Sequence, residues 1–192
     1  MNNILYLDDY INLYSNDKLI VFKPYKHTLI NGKICNNDKF IKSFNKLLEI
    51  NNIKNRFFSE KIYIIINNNY NDVDKNNIKE IMNSLNYQKV YFINELDYLD
   101  INKNKLLINY NYSYFYIIYT NDYGDTCVNL YKLDNINKDL IINVINTANK
   151  KEIIIYGKNY KELETILNRE NKDYYVYEYA ENLLVKILCK VH

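Results

Sequence analysis

The residues able to do chemistry in this chain are few and poorly grouped. His27 and His192 are its two histidines. No nucleophile motif lies near His27, so a Ser/His/Asp relay is not assembled. Cys35, Cys127 and Cys189 are odd in number and far apart, without the spacing of a zinc or redox site. With only two histidines beside them they suggest no metal centre, and they are expected to be buried free thiols in a reducing compartment. Acidic residues are numerous, but nothing in their spacing fixes a pair at catalytic separation. Asp8, Asp9 and Glu95 each follow an apolar run. Read alone, without companion ligands, they are solvated turn residues or helix caps. The chain has 3 glycines. That is too few for several loops in which backbone N–H groups approach phosphate oxygens unhindered by side chains.

The elements that must position these residues are clearer. The chain of 192 residues suits one compact domain or two small lobes. Its net charge of +2 comes from interspersed acids and bases, which argues against nucleic acid or an anionic surface as main partner. No apolar run reaches membrane-spanning length, and no basic stretch followed by an apolar run opens the chain, so neither a membrane span nor a signal peptide is expected. The 22 tyrosines, with abundant Asn, Lys and Ile, accord with AT-rich codons.

Along the chain, apolar runs at 4–7, 11–14 and 19–22, broken by Asp8-Asp9 and Asn16-Asp17, predict three strands. Asn31-Gly32 marks a tight turn. Asp38 reads as the cap of a helix carrying Phe40, Ile41, Phe44, Leu47 and Leu48. A strand at 62–66 ends at Asn67-Asn68-Asn69. Asp72 or Asp74 caps a second helix with Ile78, Ile81, Met82 and Leu85, and a strand at 90–93 follows. The order then recurs. Strands are expected at 106–110, 114–120 and 126–133, the last two joined at Asp122-Tyr123-Gly124-Asp125. A helix at 139–148, a strand at 153–156, a helix at 160–167, a strand at 174–177 and a helix at 181–191 complete it. Two tandem units of three strands, helix, strand, helix predict an α/β fold with mixed sheets, divided into lobes 1–99 and 100–192.

On these residues the chain resembles the actin-like ATPase superfamily, especially its bacterial members MreB, FtsA and PilM. The resemblance lies in the segment from Lys23-Pro24-Tyr25 through Gly32-Lys33-Ile34 into the first long helix. It continues in Lys89-Val90-Tyr91-Phe92-Ile93-Asn94-Glu95 and in the strand and helix of 151–167. It implies a minimal actin-like, RNase H-like fold. The insertion subdomains are absent, because 22–38 and 133–152 are too short to hold them.

In that family, aspartate- and glycine-containing hairpins wrap the phosphates of ATP and a further glycine-rich turn packs against adenosine. Carried over residue by residue, Asp8 matches the first aspartate, but Leu7-Asp8-Asp9-Tyr10 has no glycine. Asn109 stands where the second aspartate is expected and Asn111 where its glycine is. Only Gly157 survives in the third turn, and Glu95 matches the family glutamate. The implied site of Asp8, Asp9, Glu95, Asn109, Asn111 and Gly157 is thus a vestigial nucleotide cleft, with tyrosines filling the phosphate space.

The expectation is a non-enzymatic, cytoplasmic scaffold without cofactor. By analogy with degenerate relatives of the PilM and GspL kind, it would serve a type IV pilus or type II secretion platform at the inner face of the cell membrane. Its partners would be platform proteins and an assembly ATPase. A filament-forming or division-related actin relative and a divergent nucleotide-binding ATPase are the alternatives. The amphipathic run 183–191 reads as a packed terminal helix or as a lead into a membrane segment.

Overall fold

A computed structural model describes residues 2–53, 60–66, 70–99, 101–110, 114–132, 138–148, 152–157, 159–170 and 172–176. The expected helix at 181–191, the Asn67–Asn69 run, Asn111 and Cys189 lie outside the described residues. The chain divides into two compact units, Met1–Tyr98 and Leu99–His192.

The first unit opens with β1 (Asn2–Leu7), β2 (Ile11–Ser15) and β3 (Lys18–Phe22), then a short hairpin of β4 (Leu29–Ile30) and β5 (Lys33–Ile34). α1 (Asn37–Ile50), β6 (Glu60–Ile66), α2 (Asp72–Ser84) and β7 (Tyr87–Asn94) follow. Its sheet runs β3-β2-β1-β6-β7, with β1 antiparallel to β2 and parallel to β6. Two hairpins close on paired left-handed residues. Asn16 and Asp17 have φ of 53° and 59°, and Asn31 and Gly32 have 53° and 73°. Two consecutive positive φ values are the twist that joins antiparallel strands through two residues.

The second unit repeats the plan with β8 (Lys105–Tyr110), β9 (Tyr114–Thr120), β10 (Thr126–Lys132), α3 (Lys138–Ala148), β11 (Glu152–Tyr156), α4 (Tyr160–Arg169) and β12 (Tyr175–Val176). Its sheet order, β10-β9-β8-β11-β12, matches the first position for position. Strand alternation sends Leu5, Leu7, Ile62, Ile64 and Ile66 to a core shared with Phe40, Phe44, Ile81 and Met82 of the helices. In the second unit Leu106, Ile108, Ile117, Ile153 and Ile155 meet Ile141, Ile145, Leu163 and Leu167 in the same way. The opposite faces are also dry: Ile4, Asn12, Asn109 and Ile118 have no exposed surface. Strands buried on both faces read as unbroken apolar runs, which is why Ile62–Ile66 shows no alternation in the sequence.

Two helix starts differ from expectation. α1 is capped by Asn36, whose side chain accepts the Lys39 N–H at 2.9 Å, while Asp38 lies in the first turn. α2 is capped by Asn71, which forms a reciprocal box with Asp74. In both cases an asparagine upstream takes the cap and leaves the aspartate inside the first turn, where its charge favours the helix dipole. The cysteine expectation is also corrected. Cys35 is exposed, in the loop leaving β5, and Cys127 is part-exposed on the edge strand β10. Neither thiol is packed in a core. The space between Phe22 and Asp38 holds only the β4–β5 hairpin, and α3 is the described element between 133 and 151.

Candidate functional site

In the first unit the expected acids gather at the carboxyl ends of the parallel strands, where open α/β sheets place their ligands. Asp8 follows β1 and is 2% exposed; Glu95 follows β7 and is 0% exposed. Neither is a solvated turn residue. Asp8 Oδ1 accepts the Tyr10 N–H at 2.6 Å, and the Asp8 N–H donates to the Tyr10 carbonyl at 3.2 Å. The carboxylate thereby closes its own three-residue turn. The Asn12 amide adds a further donor at 3.1 Å. Asn12 Nδ2 also faces the carbonyls of Tyr6 at 3.3 Å and Tyr10 at 3.4 Å, which fixes it as the donor end and leaves the buried Oδ1 without a partner. Asp9 projects from the turn, part-exposed.

Tyr70, between β6 and α2, completes this polar group and was not foreseen. It is 8% exposed, and its hydroxyl donates to the Gly32 carbonyl. Burial raises its pKa above the tyrosine range, and the charges of Asp74, Glu95 and Asp8 add to the effect. The phenol therefore stays protonated and serves as a donor. Lys33, on the same hairpin, reaches Asp74 Oδ2 at 2.8 Å and lies 5.8 Å from the Tyr70 ring centroid. Burial is the largest single influence and works against the Asp74 charge, but the Lys33 hydrogen bond, the Asn71 N–H and the Lys33 charge together outweigh it and lower the pKa. Tyr70 is one of 22 tyrosines, so nothing marks it in the sequence. Asn12 did leave a signal, as the polar residue between Ile11 and Leu13 of an apolar strand.

In the second unit Asn109 lies inside β8 rather than in the turn after it. It pairs across to Tyr116 and donates Nδ2 to the Tyr116 hydroxyl at 2.8 Å, with no exposed surface. The last pair before the turn is Tyr110↔Phe115, as Leu7↔Ile11 is in the first unit. The position matching Asp8 is therefore Asn111. Tyr110 does not fill the turn space: alternation points it into the core, its ring 5.9 Å from Phe115. Burial, with Glu162 nearby, pushes its pKa up to about 12.

Gly157 follows β11 with φ of 105°. A Cβ there would stand 2.3 Å from the Tyr110 carbonyl oxygen and 2.8 Å from Asn109 Oδ1. The Asn159 N–H donates to the same carbonyl at 3.1 Å, locking the β11–α4 turn onto the end of β8. Asn159 caps α4 without a side-chain bond to the helix backbone; its amide donates instead to Glu162. Among the described residues no three His, Cys, Asp or Glu side chains are grouped to hold a metal ion. No described helix is long and apolar enough to cross a membrane.

Two five-stranded sheets of identical order, each with helices on its core and polar residues at the ends of its parallel strands, define an actin-like fold. Solved structures bear this out. MreB5 of Spiroplasma citri bound to AMPPNP superposes with a TM-score of 0.64 at 8% identity, over 96% of this chain and 93% of that one. The ethanolamine utilization protein EutJ from Carboxydothermus hydrogenoformans gives 0.61 at 8% identity, over 91% and 83%. A Bacteroides thetaiotaomicron protein with an actin-like ATPase fold gives 0.57 at 12% identity, over 95% and 94%. No family model and no curated protein matches the chain. At these identities the likeness is one of fold.

Proposed function

We propose that this chain is a non-catalytic actin-like module that binds protein partners. One observation carries the reading: the groups that would have to serve a nucleotide are engaged in holding their own turns. Asp8 Oδ1 accepts from the Tyr10 N–H and the Asn12 amide. The room left by the missing side chain of Gly157 is taken by the Tyr110 carbonyl and Asn109. A magnesium nucleotide needs free backbone donors and free carboxylate lone pairs. The engagement of Asp8 Oδ1 and the filled space at Gly157 support the module reading. The finer reading is a cytoplasmic component of a type IV pilus or type II secretion platform, coupling a membrane protein to an assembly ATPase at the inner face of the membrane. It rests on the analogy with degenerate relatives alone.

A second reading, retained nucleotide binding, draws on the AMPPNP-bound state of the MreB5 relative. Titration with Mg-ATP and Mg-ADP, followed by calorimetry and melting temperature, separates the two. A ligand that binds the folded state raises its stability once its concentration passes Kd. The module reading expects no heat and no thermal shift up to millimolar nucleotide. Micromolar, magnesium-dependent binding overturns it.

A further inference from the structure

The second unit contains a pocket that neither its core nor its turns require. It opens between α3 and the strands β9 and β10 and has a volume of about 320 Å³, in the range of small ligand sites. Tyr119 and Tyr131 form its aromatic floor. Around them stand Asp122, Asn129, Asn143 and Thr147. Tyr131 is held in place by stacking on Phe115 at 4.7 Å. Burial and the neighbouring Tyr119 keep its pKa raised, so the phenol is neutral. The lining contains one carboxylate and no basic residue. Among the described residues the Asp122 carboxylate and the Asn129 and Asn143 amides make no hydrogen bond or ion pair. The pocket therefore presents aromatic faces, carbonyl oxygens and one negative charge. A planar cation fits the Asp122 end of the pocket, where a guanidinium can stack on the Tyr119 ring and bond the carboxylate through two parallel donors; Tyr131, opposite Phe115, stands four pairs further along the ladder.

The strand beside the pocket indicates what would carry that cation. Among the described residues β10 is an edge of its sheet, and it pairs with β9 over seven consecutive residues without a register shift. It contains no proline, and its charge is confined to Lys132, its last residue. The other edges are guarded in the ways natural sheets use. β3 opens on Lys18 and runs out towards Pro24, β12 covers two of the described residues, and β7 carries Lys89 beside a register irregularity. A strand added outside β10 would lie about 4.8 Å away, with alternate side chains directed over the pocket.

We propose that the outer edge of β10 and the adjoining pocket dock an extended segment of a partner protein whose arginine side chain sits between Asp122 and the Tyr119 ring. The proposal rests on the binding-module reading and gives it a surface. The probe is a short fluorescein-labelled peptide of alternating serine and valine with one central arginine, titrated into the full chain at low salt and read by anisotropy. Binding is expected to weaken about tenfold when the peptide arginine becomes glutamine, and equally with Asp122→Asn in the protein. Asp122 is exposed in a turn, so this variant keeps its fold. Asn143→Lys, on an exposed position of α3, puts a competing cation in the pocket and is expected to abolish binding. Amide exchange is expected to slow along 126–132 on binding, and not along β3 or β7.

Binding indifferent to the arginine, binding without protection of β10, or none at millimolar peptide would each overturn the proposal. So would free arginine amide binding the pocket while the peptide leaves β10 exchange unchanged. An unbound peptide together with unbound Mg-ATP removes this surface and leaves the module reading standing. ATP turnover removes the module reading whatever the peptide does.

Discussion

Gly157→Ala separates a glycine kept for the fold from a glycine kept for a ligand. Two costs meet at this position. The backbone has φ of 105°, which an L-residue with a Cβ rarely adopts, at about 1–3 kcal/mol. The new methyl would also lie 2.3 Å from the Tyr110 carbonyl oxygen, 2.8 Å from its carbonyl carbon and 2.8 Å from Asn109 Oδ1. Two of these three are backbone atoms that cannot swing aside. Relief requires moving the end of β8 and breaking the Asn159-to-Tyr110 hydrogen bond of 3.1 Å. Forced overpacking of this kind adds about 1–3 kcal/mol. Together these come to about 2–6 kcal/mol, a large share of the stability of an ordinary domain.

Gly124 provides the internal control. Its φ is 96°, but nothing lies within 4 Å of its added Cβ. Gly124→Ala should therefore carry the backbone cost alone, roughly 1 kcal/mol. Urea unfolding followed by circular dichroism reads both variants, and the difference between them isolates the steric contribution. Equal losses for the two would refute the claim that Gly157 is fixed by contact with β8. That result would point to a glycine retained for something that enters the turn from outside.

Other substitutions probe the first unit. Asp8→Ala removes the acceptor for the Tyr10 N–H and the Asn12 amide and should cost about 2–4 kcal/mol in chemical denaturation, whereas Asp8→Asn keeps an acceptor and should cost far less. Tyr70 has a folded pKa above its unfolded value, so its contribution is intact below about pH 10 and is lost as the pH rises towards the folded value. Tyr70→Phe should flatten the alkaline limb of the stability-against-pH curve and, by leaving the Gly32 carbonyl unpaired, cost about 1–2 kcal/mol at neutral pH. Asp74 is the opposite case. Its folded pKa is depressed, so its stabilisation holds above the unfolded value near 3.9 and disappears as the pH falls through the folded one. Asp74→Ala should reduce neutral-pH stability by about 1 kcal/mol through the lost capping box and Lys33 pair, and make the acid limb shallower. An acid limb identical to that of the unaltered protein would contradict this.

The order of elements was readable because strand runs and helical spacing are local signals, and their recurrence in two units made the topology legible. The finer positions were not, for identifiable reasons. Asn36 and Asn71 outcompete the nearby aspartates for the caps because an amide oxygen accepts the helix N–H groups as well as a carboxylate does, and an asparagine-rich chain offers several candidates per helix. The aspartate-equivalent position after β8 is two residues further on than the resemblance placed it, so Asn109 stays inside the strand as a buried pairing residue and Tyr110 enters the core. Asp8 and Glu95 looked like surface acids because sequence carries no record of which strand ends converge. Tyr70, which meets them, comes from a different stretch of chain altogether.

The left-handed positions of this fold bear on the chain when it is unfolded. Asn16, Asn31, Asn52 and Asn86 have φ between 53° and 68°, at positions where a glycine would sit without strain. An asparagine in solution samples far less backbone space than a glycine, so each of these turns gives up less freedom when it forms. A composition poor in glycine has thus narrowed the denatured ensemble, at the expense of mild local strain in the native turns. Replacing these asparagines by glycine would relax the native turns and broaden the denatured ensemble at the same time, with the two effects opposed in the measured stability.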